Sequence, residues 1–235
     1  MPQLPHLSSP TLGDQAYSAI REAIVVGTLS RGEKVTERGL AESLNISPTP
    51  VREALRRLEQ DGLVERTGPR SVRVAEFGED QLREITLIED ALRALAARLA
   101  AQKAGEGQVA RMRQALDRAQ VLCDEIALNG SAIEADSETV GEILTILRGF
   151  HALVDEASGN PTLVHMLKTV DAFDSEERRR SVLAELKVDP ATVQERYKEH
   201  RAIFEAIASH QPEEAERLML AHSSSASRSR LRLRA

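Results

Sequence analysis

The stretch SPTPVREALRRLEQDG, residues 47–62, admits few folds. Its prolines are excluded from a helix interior but suit a first turn, where the backbone N–H groups have no intrahelical partner in any case. A helix therefore starts here, with Thr49 as the expected cap and Pro50 as its first residue. Gly62 supplies the stop. Between them Val51, Ala54, Leu55 and Leu58 recur at the helical period and form one apolar stripe. A helix of about three turns is marginal alone in water, so this one must pack against neighbours.

Those neighbours are legible. AYSAIREAIVVG sets Ala16, Ile20, Ala23 and Ile24 on one face and stops at Gly27. TERGLAESLN starts at a plausible cap, Thr36, and offers Leu40, Ala41 and Leu44 for burial. After LVER come Gly68 and Pro69, and SVRVAEF then alternates as the return strand of a hairpin. Helix, helix, turn, helix and a two-stranded wing make residues 11–77 a winged helix-turn-helix. Past residue 78 only helical periodicity remains, in segments at about 79–103, 107–128, 137–157, 161–186, 191–209 and 212–230. AGEG, NGSAIEADS, SGNP, VDP and HQP separate them. The expected fold is mainly α: the winged domain, then an all-α antiparallel bundle of about six helices over residues 79–228.

Charge bears on partners. The chain has a formal net charge of −6, all of it beyond residue 77; residues 47–73 carry six arginines against four acids. So weak a basic footprint means that DNA binding must rest on placement. Arg52 and Arg56 lie one turn apart, opposite Leu55 and Leu58. Beside a helix N-terminus whose free amides favour phosphate, they suit the backbone or the O6 and N7 of guanine in a major groove. Four Phe, two Tyr and no Trp argue against stacking on single-stranded bases. One cysteine, Cys123, forbids an intrachain disulfide and fits a cytoplasmic protein; no run approaches the roughly 20 apolar residues of a membrane helix, and the N-terminus lacks a signal peptide's pattern. No nucleophile motif, phosphate loop or paired-carboxylate site points to an enzyme.

EKVTERGLAESLNISPTPVREALRRLEQDGLVER resembles the DNA-binding half of GntR-type bacterial transcription regulators, a likeness that covers most of residues 12–76. The resemblance implies that Arg38 holds a phosphate, that Ser47, Thr49 and Arg52 sit at the groove, and that Gly68 brings the wing tip to the minor groove. Pro48 stands where the family usually has an arginine, which implies the loss of one base contact worth about 1–3 kcal/mol. GFHALVDEASGNPTL, EHRAIFEAIASHQPEEAERLMLAH and ALRALAARLAA are similar to the FCD effector domain of the FadR-like branch, over nearly all of residues 79–222. In metal-binding members, histidines matching His151, His200 and His222 join an aspartate around a divalent ion, often zinc or nickel. Here Leu147 stands at the aspartate position, so three imidazoles remain and affinity is expected to fall. Where the family has an arginine followed four residues later by a glutamate, this chain has Glu89 and then Arg93. The exchange is either a helix pair reversed or an altered effector pocket, one that a carboxylate ligand enters only if Arg93 or Arg148 grips it.

Taken together, the resemblance implies a ligand-responsive regulator, by family habit a repressor, that binds palindromic double-stranded operator DNA as a homodimer and answers a small-molecule effector. Two other classes stay open: a metal-dependent hydrolase built on the three histidines, and a helical scaffold that Pro48 has taken off DNA.

Overall fold

The computed structural model describes residues 10–128, 138–173 and 192–232, with side chains at all of these except 127, 128 and 226–232. The chain divides into two compact units, the first built mainly of the chain up to Glu79 and the second of the helices that follow. In the first unit, α1 (Leu12–Val25), β1 (Lys34–Thr36), α2 (Glu37–Leu44), α3 (Pro48–Gln60), β2 (Val64–Gly68) and β3 (Ser71–Val74) follow in order. In the second come α4 (Glu79–Lys103), α5 (Glu106–Leu128), α6 (Glu138–Ala157), α7 (described over 161–173), α8 (Thr192–Ala208) and α9 (Pro212–Arg232). The expected segment 161–186 is thus described only to 173, and the NGSAIEADS and VDP connections lie outside the described residues.

Local chemistry sets the helix ends. Thr11 and Asp14 close a capping box on α1, each side chain accepting the other's backbone N–H. Thr36 caps α2 through the N–H of Gly39, and Asn45 ends that helix in the left-handed conformation at φ 52°. The start of α3 lies two residues earlier than the sequence suggests: Ser47 is the cap and Pro48 the first helical residue, so Thr49 is not the cap. Pro50 is tolerated because the third helical N–H is still among those without an intrahelical partner. Gly62 turns the chain at φ 73° into β2.

The inner stripe of α3 is the centre of this unit. Val51, Ala54, Leu55 and Leu58 are fully buried, with Ile20, Ile24, Leu40, Leu63, Val72 and Val74 around them. Across α1 and α3, Arg57 bonds Asp14 at 2.6 Å and lies over the ring of Tyr17. The sheet order is β1-β3-β2, all antiparallel, with a bulge between Arg66 and Gly68. The hairpin is the expected wing; β1, three residues long, was not anticipated because so short a strand carries almost no periodicity.

In the second unit α5 packs on α6 and α8, and α8 on α6 and α9. Met112, Leu116, Ile143, Leu147, Phe150, Phe204 and Ile207 fill its core. Cys123 is buried among them, and burial pushes its thiol up to about 11, so it is a core residue rather than a nucleophile. No helix among the described residues is long and apolar enough to cross a membrane.

Candidate functional site

The outer face of α3 is polar because its inner stripe uses all its apolar residues. Arg52 and Arg56 are exposed there, one turn apart. Arg52 is not left to wander: its Nε and Nη2 both lie 3.1 Å from Oε2 of Glu37, a carboxylate only 2% exposed at the start of α2. Arg66 of the wing reaches the same carboxylate at 3.9 Å and bonds Glu59 at 3.1 Å. One buried acid thus ties the helix-turn-helix to the wing while each arginine keeps exposed surface. Ser47 makes no capping bond and borders a groove with Arg38, Glu42, Asn45 and Pro48. Arg38 is exposed and paired with Glu42. Thr49 lies in the first turn of α3, and Gly68 ends β2, with Ser71 Oγ 2.9 Å from where a Cβ would stand. At that close approach a larger residue would have to push the Ser71 hydroxyl aside. Lys34 and Arg73, paired across β1 and β3, and Arg70 beside the turn add exposed cations that sequence reasoning passed over.

The bundle brings together the three histidines. His151 on α6, His200 on α8 and His222 on α9 offer ring nitrogens that all lie within 4.8 Å of one another. The Nε2 atoms of His151 and His200 are 3.1 Å apart. His200 Nδ1 donates to the carbonyl of Arg196 at 2.6 Å, so its proton sits there and its Nε2 turns a lone pair to the centre. Burial and the neighbouring His222 ring hold His200 well below the usual imidazole range. His222 Nδ1 lies 2.7 Å from Oε2 of Glu199, which leaves its Nε2 as the inward nitrogen. Phe150 sits edge-on to both His151 and His200. Leu147, where an aspartate ligand was expected to be missing, is buried in the apolar stripe of α6. Of the remaining histidines, His165 is exposed, His210 donates from Nδ1 to the carbonyl of Ala101, and His6 lies outside the described residues.

A second polar cluster adjoins the first. Glu89 and Arg93 of α4 form the expected pair at 2.7 Å, but both are buried. Arg93 also bonds Asp171 of α7 at 2.9 Å and faces Asp155 of α6 at 3.8 Å. Burial alone would lower the Arg93 guanidinium; Glu89, Asp171 and Asp155 outweigh it and raise it. Burial pushes the Asp155 carboxyl up to about 6, against the pull of Arg93. Asp155 follows His151 by one turn, yet it faces Arg93 and is not one of the grouped donors. Ser224, two residues after His222, donates to Asp90 beside Glu89, so the two clusters are neighbours in one bundle. Arg148, the other arginine considered for an effector, is exposed and outside these contacts, because Leu147 takes the inward position of that turn. Asp171 and Glu199 were missed. Both join their partners across helices, and no period along one helix announces such a contact.

Comparison with known proteins matches residues 12–74 to the model of bacterial regulatory proteins of the gntR family and residues 84–225 to the FCD domain. The HTH-type transcriptional regulator LutR of Bacillus subtilis is 30% identical over 212 residues, covering 83% of this chain and 90% of LutR. The HTH-type transcriptional repressor NanR of an Enterobacter strain is 28% identical over 236 residues, covering 94% and 86%. The solved structure of Escherichia coli McbR superposes with a TM-score of 0.74 at 21% identity over 96% of this chain and 99% of that one, a likeness of fold.

Proposed function

The chain belongs to the GntR family of bacterial regulatory proteins and carries an FCD domain, and from that premise we propose that it is a ligand-responsive transcriptional repressor that binds a palindromic operator as a homodimer. Residues 11–77 read DNA; residues 79–228 bind the effector and form the dimer. NanR is named a repressor, which supports that direction here.

The observation that carries the reading is the outer face of α3, where Arg52 and Arg56 stand exposed and Glu37 fixes the angle of Arg52. Arg52, Thr49 and Ser47 contact base edges in the major groove, Arg38 and Arg56 contact phosphates, and Gly68 lets the wing approach the minor groove. With Pro48 rather than an arginine at the first helical position, the operator differs from the usual family site at that base. Retardation of DNA from the protein's own upstream region is the test. Arg52→Ala should lower affinity by about 5–150-fold, the equivalent of one bidentate base contact of roughly 1–3 kcal/mol. Its dimerisation should be unchanged. Equal affinity in the variant would remove α3 from the groove.

The three histidines fit a divalent ion of borderline softness, zinc or nickel: three imidazoles converge, one with its proton held on a backbone carbonyl and one facing a carboxylate with its outer nitrogen. His151, His200 and His222 would hold it, and with Leu147 in place of an acid one position stays open for an effector's donor atom. The ion would supply a Lewis-acid grip on a chelating ligand. Glu89 and Arg93, with Asp155 and Asp171, form the adjoining polar wall. Effector binding among these helices shifts the spacing of the two readers through its differential affinity for two arrangements. The chain in this reading is a binder and not an enzyme.

A further inference from the structure

Glu199 is not among the residues that would hold the ion, and its position is unusual. It immediately precedes His200 on α8, yet its carboxylate engages His222 on α9, with Oε2 2.7 Å from Nδ1. Its side chain is 43% exposed, so packing does not account for it, whereas the His222 side chain beneath it is only 6% exposed. The carboxylate of an ionised glutamate is an acceptor only, so this contact sets the His222 proton on Nδ1 and directs Nε2 to the centre. His200 receives the same treatment from the Arg196 carbonyl. The element that carries one histidine therefore carries the acceptor for the next.

Charge gives the contact a second meaning. Three imidazoles leave the full charge of a divalent ion uncompensated, and Leu147 offers nothing. Resting on the reading of a metal site, we infer that Glu199 is the positioning residue of the histidine centre, a carboxylate set one imidazole away from the ion that holds His222 in its donor tautomer and supplies the negative charge absent at Leu147. Carboxylates of this kind hold ligand rings in place and raise their basicity, and their loss typically weakens metal binding by about 10–100-fold.

The full-length protein, stripped of metal, is titrated with zinc in competition with a chromophoric chelator, alongside Glu199→Ala, Glu199→Gln and His222→Ala. Nitrogen-15 NMR of the metal-free histidines reports the tautomer of His222. Glu199→Ala should bind zinc about 10–100-fold more weakly, and His222 should lose its uniform Nδ1–H form. Glu199→Gln, which keeps an acceptor oxygen but no charge, should retain that tautomer and bind with intermediate affinity. Because the side chain is half exposed, both variants should melt as the parent does, and Glu199→Gln alone carries the test if the alanine variant does not. Parental zinc affinity and an unchanged His222 tautomer in both would overturn the role of Glu199 while leaving the metal site standing. No zinc bound by the parent would overturn the metal reading itself, and this inference with it.

Discussion

Asp155 shows how one residue records its surroundings. Exposed, its carboxyl would titrate near 3.8; burial beside Arg93, with Asp171 and Glu89 close by, pushes it up to about 6. The native state therefore holds a proton that the unfolded chain releases between those two values. Stability from this group is complete below about pH 4 and is lost as pH rises through 6. At pH 7.5 the ionised carboxylate costs about 3 kcal/mol, at roughly 1.4 kcal/mol for each pH unit of displacement. Asp155→Asn should accordingly raise the melting temperature at pH 7.5 and lose most of that advantage near pH 4.5. Thermal melts of both proteins across this range decide it: a variant less stable at pH 7.5 would mean that Asp155 acts chiefly as a needed partner of Arg93. The sequence showed Glu89 and Arg93 as a pair at helical spacing, but Asp155 and Asp171 reach Arg93 from two other helices.

At the scale of the element, α3 divides its labour between two faces. Leu55 is fully buried on the inner face, so Leu55→Ala should cost about 2–5 kcal/mol and weaken DNA binding through loss of fold. Arg52→Ala should lower the unfolding midpoint by less than Leu55→Ala does, since Arg66 still faces the buried Glu37, and weaken DNA binding directly. Chemical denaturation beside operator titration separates the two, and a large stability loss in Arg52→Ala would instead give its bond to Glu37 a structural purpose. The stripe and its stop at Gly62 were legible because the helical period and the turn residues write them locally. The cap was displaced from Thr49 to Ser47 because two prolines two residues apart both satisfy the rules of a first turn. The choice between them rests on how α3 enters from the Asn45 turn.

For the whole molecule, the proposed dimer needs a surface. Leu87, Ile88 and Leu95 of α4 are exposed large apolar side chains, spaced so that they share one side of that helix. We expect them at the contact between two copies. Leu87→Asp with Ile88→Asp should convert the dimer to a monomer in sedimentation velocity. It should also reduce operator affinity by far more than any single base contact, since a monomer reads one half-site. A double variant that still sediments as a dimer would move the contact elsewhere.

The sequence by itself determined most of the elements: the bundle helices within one or two residues where described, the wing and the polar face of α3, because each is written in local periodicity, caps and turns; β1 was too short to be legible, and the candidate histidines came from the family resemblance. Only the tertiary structure decided which side chains meet. His151, His200 and His222 lie 49 and 22 residues apart along the chain and converge because α8 packs on both α6 and α9. Glu199 joins His222, and Asp155 and Asp171 join Arg93, for the same reason. Contacts between helices depend on the rotation and crossing of packed surfaces, which no period along a single helix contains.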